Sequence, residues 1–181
     1  SAGGPSPSQV MRLVRYLNDY VDRCHNQKEE QHLFPRLERA GMPRDAGPLG
    51  VMLDEHAHAQ QLLASLVPLG RAFAAGDRGV LSDLRAAFEA YAALCKDHFW
   101  KEGDILYPAA LRMLPEEEGV EIVRGIEALE ASLGEGTRER YYRMAREIVE
   151  EGELRDLAYG LERDVLAAIL NTLPVELSFI D

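Results

Sequence analysis

Two stretches of this chain are written to one pattern. The run Cys24-His25-Asn26-Gln27-Lys28-Glu29-Glu30-Gln31-His32-Leu33-Phe34-Pro35 is matched by His98-Phe99-Trp100-Lys101-Glu102 and, after a short gap, Leu106-Tyr107-Pro108. His25, Lys28, Glu29, Leu33, the aromatic at 34 and Pro35 all recur at one offset of 73 residues. In each copy a His and a Glu stand four apart, which on an α-helix places them one turn apart on the same face. That is the spacing at which two side chains share one metal ion.

A lone His and Glu at this spacing on a polar helix is ordinarily a solvated surface pair. The stripes on which these pairs lie argue otherwise. Val10, Val14, Leu17 and Val21 recur at threes and fours and lead to His25 and Glu29, and Leu84, Phe88, Tyr91 and Cys95 lead in the same way to His98 and Glu102. Both pairs are therefore expected to face a core. Carboxylates in an apolar interior are costly unless a cation meets them, and the one Lys in each copy lies three residues after the His, off that face. A bound metal ion answers the difficulty.

The chain is long enough, at 181 residues with 46% hydrophobic, for one domain with a well-filled core. A net charge of −11 argues against nucleic acid or an anionic membrane as partner. With no run of 18 apolar residues and no signal-peptide pattern, a soluble, cytoplasmic protein is expected. Cys24 and Cys95 occupy helical core positions beside the two motifs and read as buried thiols of a reducing compartment, with a disulfide the weaker alternative.

In chain order, Ser1 to Ser8 reads as a linker-like end. Helices are expected at about 9–40, with a kink or break at Pro35, at 51–73 with Met52, His56, Ala59, Leu63 and Leu66 on one face, and at 80–113, which meets Pro108 near its end. Gly41 to Gly50 reads as turn, its Gly and Pro too dense for a helix. Shorter helices are expected at 116–133, 137–151 and 153–171. Only residues 173–181, where Val175, Leu177 and Phe179 alternate with polar or smaller neighbours, read as a strand, and a lone strand has nothing to pair with.

The segments CHNQKEEQHLFP, GPLGVMLDEHAHAQ, KDHFWKEGDILYP and GEGTRERY resemble a hemerythrin-like (HHE cation-binding) domain over residues 9–151. The resemblance implies an all-α, up-down four-helix bundle around a non-heme di-iron centre. It implies that Glu29 and Glu102 bridge two irons and that His25, His56 and His98 are terminal ligands. Mixed oxygen and imidazole donors suit iron or manganese and do not exclude zinc.

The chain departs from the family pattern in two places. Many members carry a second His four residues after the one at 56, where this chain has Gln60, a much weaker ligand. Moreover His56 precedes His98 by 42 residues, so a duplicate partner of His56 would fall ahead of Ser1. The first bundle helix and its His are thus expected to be missing or replaced, by a late helix such as 153–171 or by a second chain in a homodimer. With no histidine after His98, that late helix offers only Tyr159, Glu162 and Asp164 as polar candidates. Its face of Leu154, Leu157, Leu161, Val165 and Ala168 suits it to cover the apolar trough, and one metal position would then lack a ligand, giving a mononuclear or partly filled centre. Of the other histidines, His58 is on the far side of its helix and expected at the surface. His32 shares the face of His25 and Glu29 in a Glu-x-x-His spacing used by ferritin-like bundles, and is kept as a weaker candidate ligand with Gln60.

The last residues, ILNTLPVELSFID, resemble the opening of a PAS domain, with 152–172 as a connecting helix. Together the resemblances imply a metal-binding module that binds or senses O2 or a related diatomic such as NO, as the input of a larger sensor and not an enzyme. Two alternatives stand beside this reading: a di-iron redox enzyme, and a degenerate, metal-free helical interaction module.

Overall fold

The predicted apolar stripes become the inner faces of helices in the computed structural model, which describes residues 6–150. The first helical run, α1, spans 7–39 and opens on a capping box in which Ser6 and Gln9 satisfy each other's backbone donors. It proceeds through α-helical Pro7–Tyr16, π-helical Leu17–Asn26 and Glu29–Leu33, and α-helical Phe34–Arg39. The second helix, α2, is Gly47–Ala74. The third run, α3, spans 81–113 as α-helical Leu81–Lys101, π-helical Glu102–Leu106 and α-helical Tyr107–Met113. Two further helices follow, α4 at Glu116–Ser132 and α5 at Thr137–Glu150. No strand occurs among the described residues. The connecting helix expected at 152–172, its polar candidates and apolar face, and the strand and PAS-like opening at 173–181 lie outside the described residues.

Pairings along the helices set the topology. Gly70 of α2 lies against Val14, so closely that a Cβ would come within 2.9 Å of Val14 Cγ2, while His56 of α2 meets Glu29 and Glu30. Thus α2 runs antiparallel to α1. Glu55 meets His98 and Lys101, and α3 returns parallel to α1, which brings the two copies of the motif to one level. On the remaining side, Glu118 pairs with Arg36, Gly125 lies against His32, Glu130 pairs with Lys28, Tyr141 packs on Tyr20 and Tyr16, and Glu147 reaches Arg12. The partner numbers in α1 fall steadily as those in α4 and α5 rise. These two helices therefore act as one broken fourth helix, antiparallel to α1, and complete the up-down bundle.

Three expectations are corrected here. The trough was expected to be covered by 153–171 or by a second chain; residues 116–150 already occupy the fourth side, because Ile122, Tyr141, Ala145 and Ile148 supply the apolar contacts. Pro35 does not break α1, since the π turn ahead of it widens the helix and the Phe34 N–H donates to the Glu29 carbonyl. A proline lacks the N–H and crowds the carbonyl four residues back, and a shift to bonds five residues back accommodates both. Finally, residues 47–50 are helical: Pro48 sits in the first turn, where its missing N–H costs nothing.

Along each of the first three helices the polar site residues separate two apolar clusters. One is built on Val10, Leu13, Val14, Leu66, Phe73, Leu84 and Phe88, and the other on Phe34, Leu37, Leu49, Met52, Leu106 and Ala110. The site is thus a polar layer enclosed in the core. No helix among the described residues is long and apolar enough to cross a membrane.

Candidate metal centre

His25 and Glu29 from α1 and His98 and Glu102 from α3 converge so that one donor atom from each lies within 4.8 Å of the others. All four are buried, Glu102 completely. Because α1 and α3 are parallel and carry the same motif at the same height, the convergence follows from the repeat itself. His98 Nε2 stands 2.6 Å from Glu102 Oε1, His25 Nε2 3.6 Å from the same oxygen, and His56 Nε2 3.3 Å from Glu29 Oε2. His56 comes from α2 and lies beside this group, its ring 4.9 Å from that of His98.

The outward sides of the imidazoles are held by carboxylates. Glu30 sits 2.7 Å from His56 Nδ1 and Glu55 sits 3.0 Å from His98 Nδ1. A carboxylate can only accept, so each Nδ1 carries the proton and each Nε2 of a neutral ring presents its lone pair inward. Phe34 stacks on His56 at 5.4 Å and fixes the ring plane. Tyr107 donates its hydroxyl to Glu29 Oε1 at 2.7 Å. It occupies the place in the second copy that Phe34 holds in the first, so the repeat is asymmetric: Glu29 has a tyrosine donor, while neither Glu102 oxygen makes a hydrogen bond. The two motif lysines also take matching roles, since Lys28 pairs with Glu130 at 2.7 Å and Lys101 pairs with Glu55.

The inner tips show what the site lacks as protein alone. Glu29 Oε2, both oxygens of Glu102, and Nε2 of His56 and His98 are buried and make no hydrogen bond. Buried acceptors facing acceptors are unfavourable unless protons or a cation lie between them. Protons can do part of this. Burial alone would lower His98, but Glu102 first and then Glu55 push it up to about 9. Burial would also lower His56, and the neighbouring carboxylates of Glu29 and Glu30 raise it. Burial would raise Glu102, yet His98 and His25 hold it well below the usual carboxylate range. Glu29 is raised, by burial and then by the charge of Glu102. A carboxylate pair with imidazoles at this spacing is also a donor set for a divalent or trivalent metal of the iron, manganese or zinc type, so the residues fit such an ion.

The weaker candidates fall outside the cluster. Gln60 is exposed on α2 and engages Asp22, and His32 is half-buried against Gly125 with its pKa lowered, by burial and then by Arg36. His58 is exposed, as expected. Glu30, Glu55 and Tyr107 were not singled out from sequence. Tyr107 stood in the matched motif only as an aromatic, and nothing local marks which glutamates reach a histidine on another helix.

Beside His56 and His98 lies a small cavity of about 10 Å³, room for about one water-sized molecule. Val21, Ala59, Leu94 and Phe99 give it an apolar wall, with Asn26, Glu55, Tyr91 and Cys95 as its other neighbours. Both cysteines are buried free thiols.

Residues 1–110 match the family model described as the hemerythrin HHE cation binding domain. Among curated proteins, an uncharacterized protein of Mycobacterium bovis and two of Mycobacterium tuberculosis, from strains CDC 1551 and H37Rv, are each 30% identical over 102 residues. The match takes in 56% of this chain and 37% of each relative, so the chain spans well under half the length of the curated relatives it matches. No solved structure matches it significantly.

Proposed function

The chain belongs to the hemerythrin HHE cation binding domain family, and from that premise we propose that it holds a non-heme metal centre, iron foremost and manganese or zinc as alternatives, that binds or senses a diatomic such as O2 or NO. The ligands in this reading are His25, Glu29, His98 and Glu102, with His56 at their side. One observation carries it: the buried carboxylates of Glu29 and Glu102 converge with buried imidazoles in an otherwise apolar core, and Glu29 Oε2 and both Glu102 oxygens make no hydrogen bond. The metal-free alternative leaves that cost unanswered.

Iron in such a set supplies a redox-active centre with affinity for small ligands. The chain's own residues do the rest. Glu30 and Glu55 hold the imidazole protons on Nδ1 and keep Nε2 directed inward. Tyr107 fixes one oxygen of Glu29 and leaves the other to face the site. The enclosing apolar clusters keep bulk water away. The cavity beside His56 and His98 is small and largely apolar, which suits a small ligand such as a diatomic. The placement of this module at the input of a PAS-containing sensor rests on residues 173–181 alone.

Metal analysis of the purified chain tests the proposal, followed by melting with and without a chelator. Metal binding gathers deprotonated ligands in the folded core, so its removal should lower the melting temperature. Glu29→Ala should erase most of that difference. Equal melting of replete and verified metal-free protein would refute the reading.

A further inference from the structure

Tyr91 is buried to 1% exposure at the α3 side of the small cavity, and its hydroxyl makes no hydrogen bond. Its polar neighbours are the Cys95 thiol, a weak partner, and, acting through charge alone, Asp22 and Tyr16. A buried tyrosine hydroxyl ordinarily finds an acceptor, and leaving one unmet costs about 1–3 kcal/mol. The cavity it borders is shared with His56 and His98; Val21, Ala59, Leu94 and Phe99 offer nothing to accept the proton, Glu55 is engaged by His98 and Lys101, and the Asn26 amide oxygen is itself left without a bond. Tyr91 lies seven residues before His98, two turns up the same face of α3, so its hydroxyl and the imidazole border one space from different heights.

Resting on the metal-centre reading above, we propose that the Tyr91 hydroxyl is the hydrogen-bond donor met by a small ligand in this cavity, and that it makes the centre favour ligands carrying negative charge over neutral ones. An anionic diatomic gains a donor in a low-dielectric pocket; a neutral one gains little. Tyr91 is then a ligand-selecting residue, distinct from the residues that hold the metal.

The test uses the full iron-loaded chain, with metal content verified, and two diatomic probes: cyanide, an anionic acceptor, and nitric oxide, a neutral and poor one. Tyr91→Phe removes only the hydroxyl and should weaken cyanide about tenfold or more while changing nitric oxide by less than about threefold. The infrared stretch of bound cyanide should shift in the variant. In the parent protein it should shift between H2O and D2O, a measurement that does not depend on the variant folding. Tyr16→Phe is the control, because Tyr16 is another buried tyrosine with an unpartnered hydroxyl but does not border the cavity; cyanide affinity should be unchanged. Equal cyanide affinity and stretch in Tyr91→Phe and parent would overturn the inference and leave the metal-centre reading standing. Parallel losses of both probes, or the same loss in Tyr16→Phe, would also overturn it, since packing would then explain the effect. Iron-loaded parent protein that binds neither probe would overturn both the inference and the diatomic-binding function.

Discussion

His98 stands between Glu102 on the inside and Glu55 on the outside, and this gives the site a definite response to pH. Its folded pKa of about 9 exceeds the ordinary value of 6.5, so in metal-free protein its contribution to stability is fully present below about pH 6.5 and lost as pH rises through 9. Glu29, also raised, adds to the same slope. Glu102, held low, contributes stability that is lost only as pH falls below the usual carboxylate range. Chelated protein should therefore be most stable between about pH 5 and 6.5 and melt progressively lower toward pH 9. Metal affinity should run the opposite way over that window, because the ion must displace the proton on His98. Thermal melts of chelated protein, with competition titrations at the same pH values, check both slopes; a flat melting profile from pH 6 to 9.5 would refute the assignment. At this scale the four converging side chains were legible because each pair is local in sequence and repeats. Glu30 and Glu55 were not, since their meaning depends on which helix lies opposite.

The helices are shaped by the same repeat. In both copies the motif Glu begins a π turn that ends just before the aromatic and proline, and the Tyr107 N–H donates to the Glu102 carbonyl as the Phe34 N–H does to that of Glu29. The proline, read alone, predicts a break; read with the π turn, it is what excludes the ordinary helical bond at that point. No sequence period announces a single extra residue in a turn, and so a kink or break is what the sequence predicts where the helix continues through a π turn. The contact of α4 with α1 depends on another local detail. At Gly125 the face of α4 lies directly on the His32 ring, and a Cβ there would come within 2.3 Å of His32 Nδ1. Glycine to alanine within an exposed helix normally gains about 1 kcal/mol. Here Gly125→Ala must displace either the ring or α4, so a net loss of about 1–3 kcal/mol is expected, recovered when His32→Ala is added. Urea unfolding of the two variants decides it, and a Gly125→Ala protein more stable than its parent would show that His32 swings aside freely.

Taken whole, the molecule closes its bundle with helices that bring no histidine. The α4 and α5 side supplies Glu130 to Lys28, Ile122 to the apolar cluster near Phe34, and Tyr141 to the stack on Tyr16 and Tyr20. Five of the expected donors thus come from three helices, and the fourth side gives apolar cover where the family resemblance implies a further imidazole. The need for cover was legible in the sequence, since three amphipathic helices leave a trough that water would penalise. Which segment provides it was not, because 116–151 and 153–171 have similar periodicity. The geometry on the first three helices is uneven as well. His25, Glu29, His98 and Glu102 have donors that all meet within 4.8 Å, whereas His56 stands next to that group. Four converging donors suffice for one ion, and a second would have only His56 and shared carboxylates to hold it. One tightly held metal ion per chain is therefore expected. His56→Ala should retain that ion with affinity reduced by about 10–100-fold at most, the scale of a supporting residue, whereas His98→Ala should lose it. Elemental analysis after exhaustive dialysis, with electron paramagnetic resonance to separate isolated from coupled iron, reads the outcome: two ions per chain with a magnetically coupled signal would mean that further ligands complete a second position, and loss of all metal in His56→Ala would make His56 an essential ligand of the single ion; either result refutes the expectation.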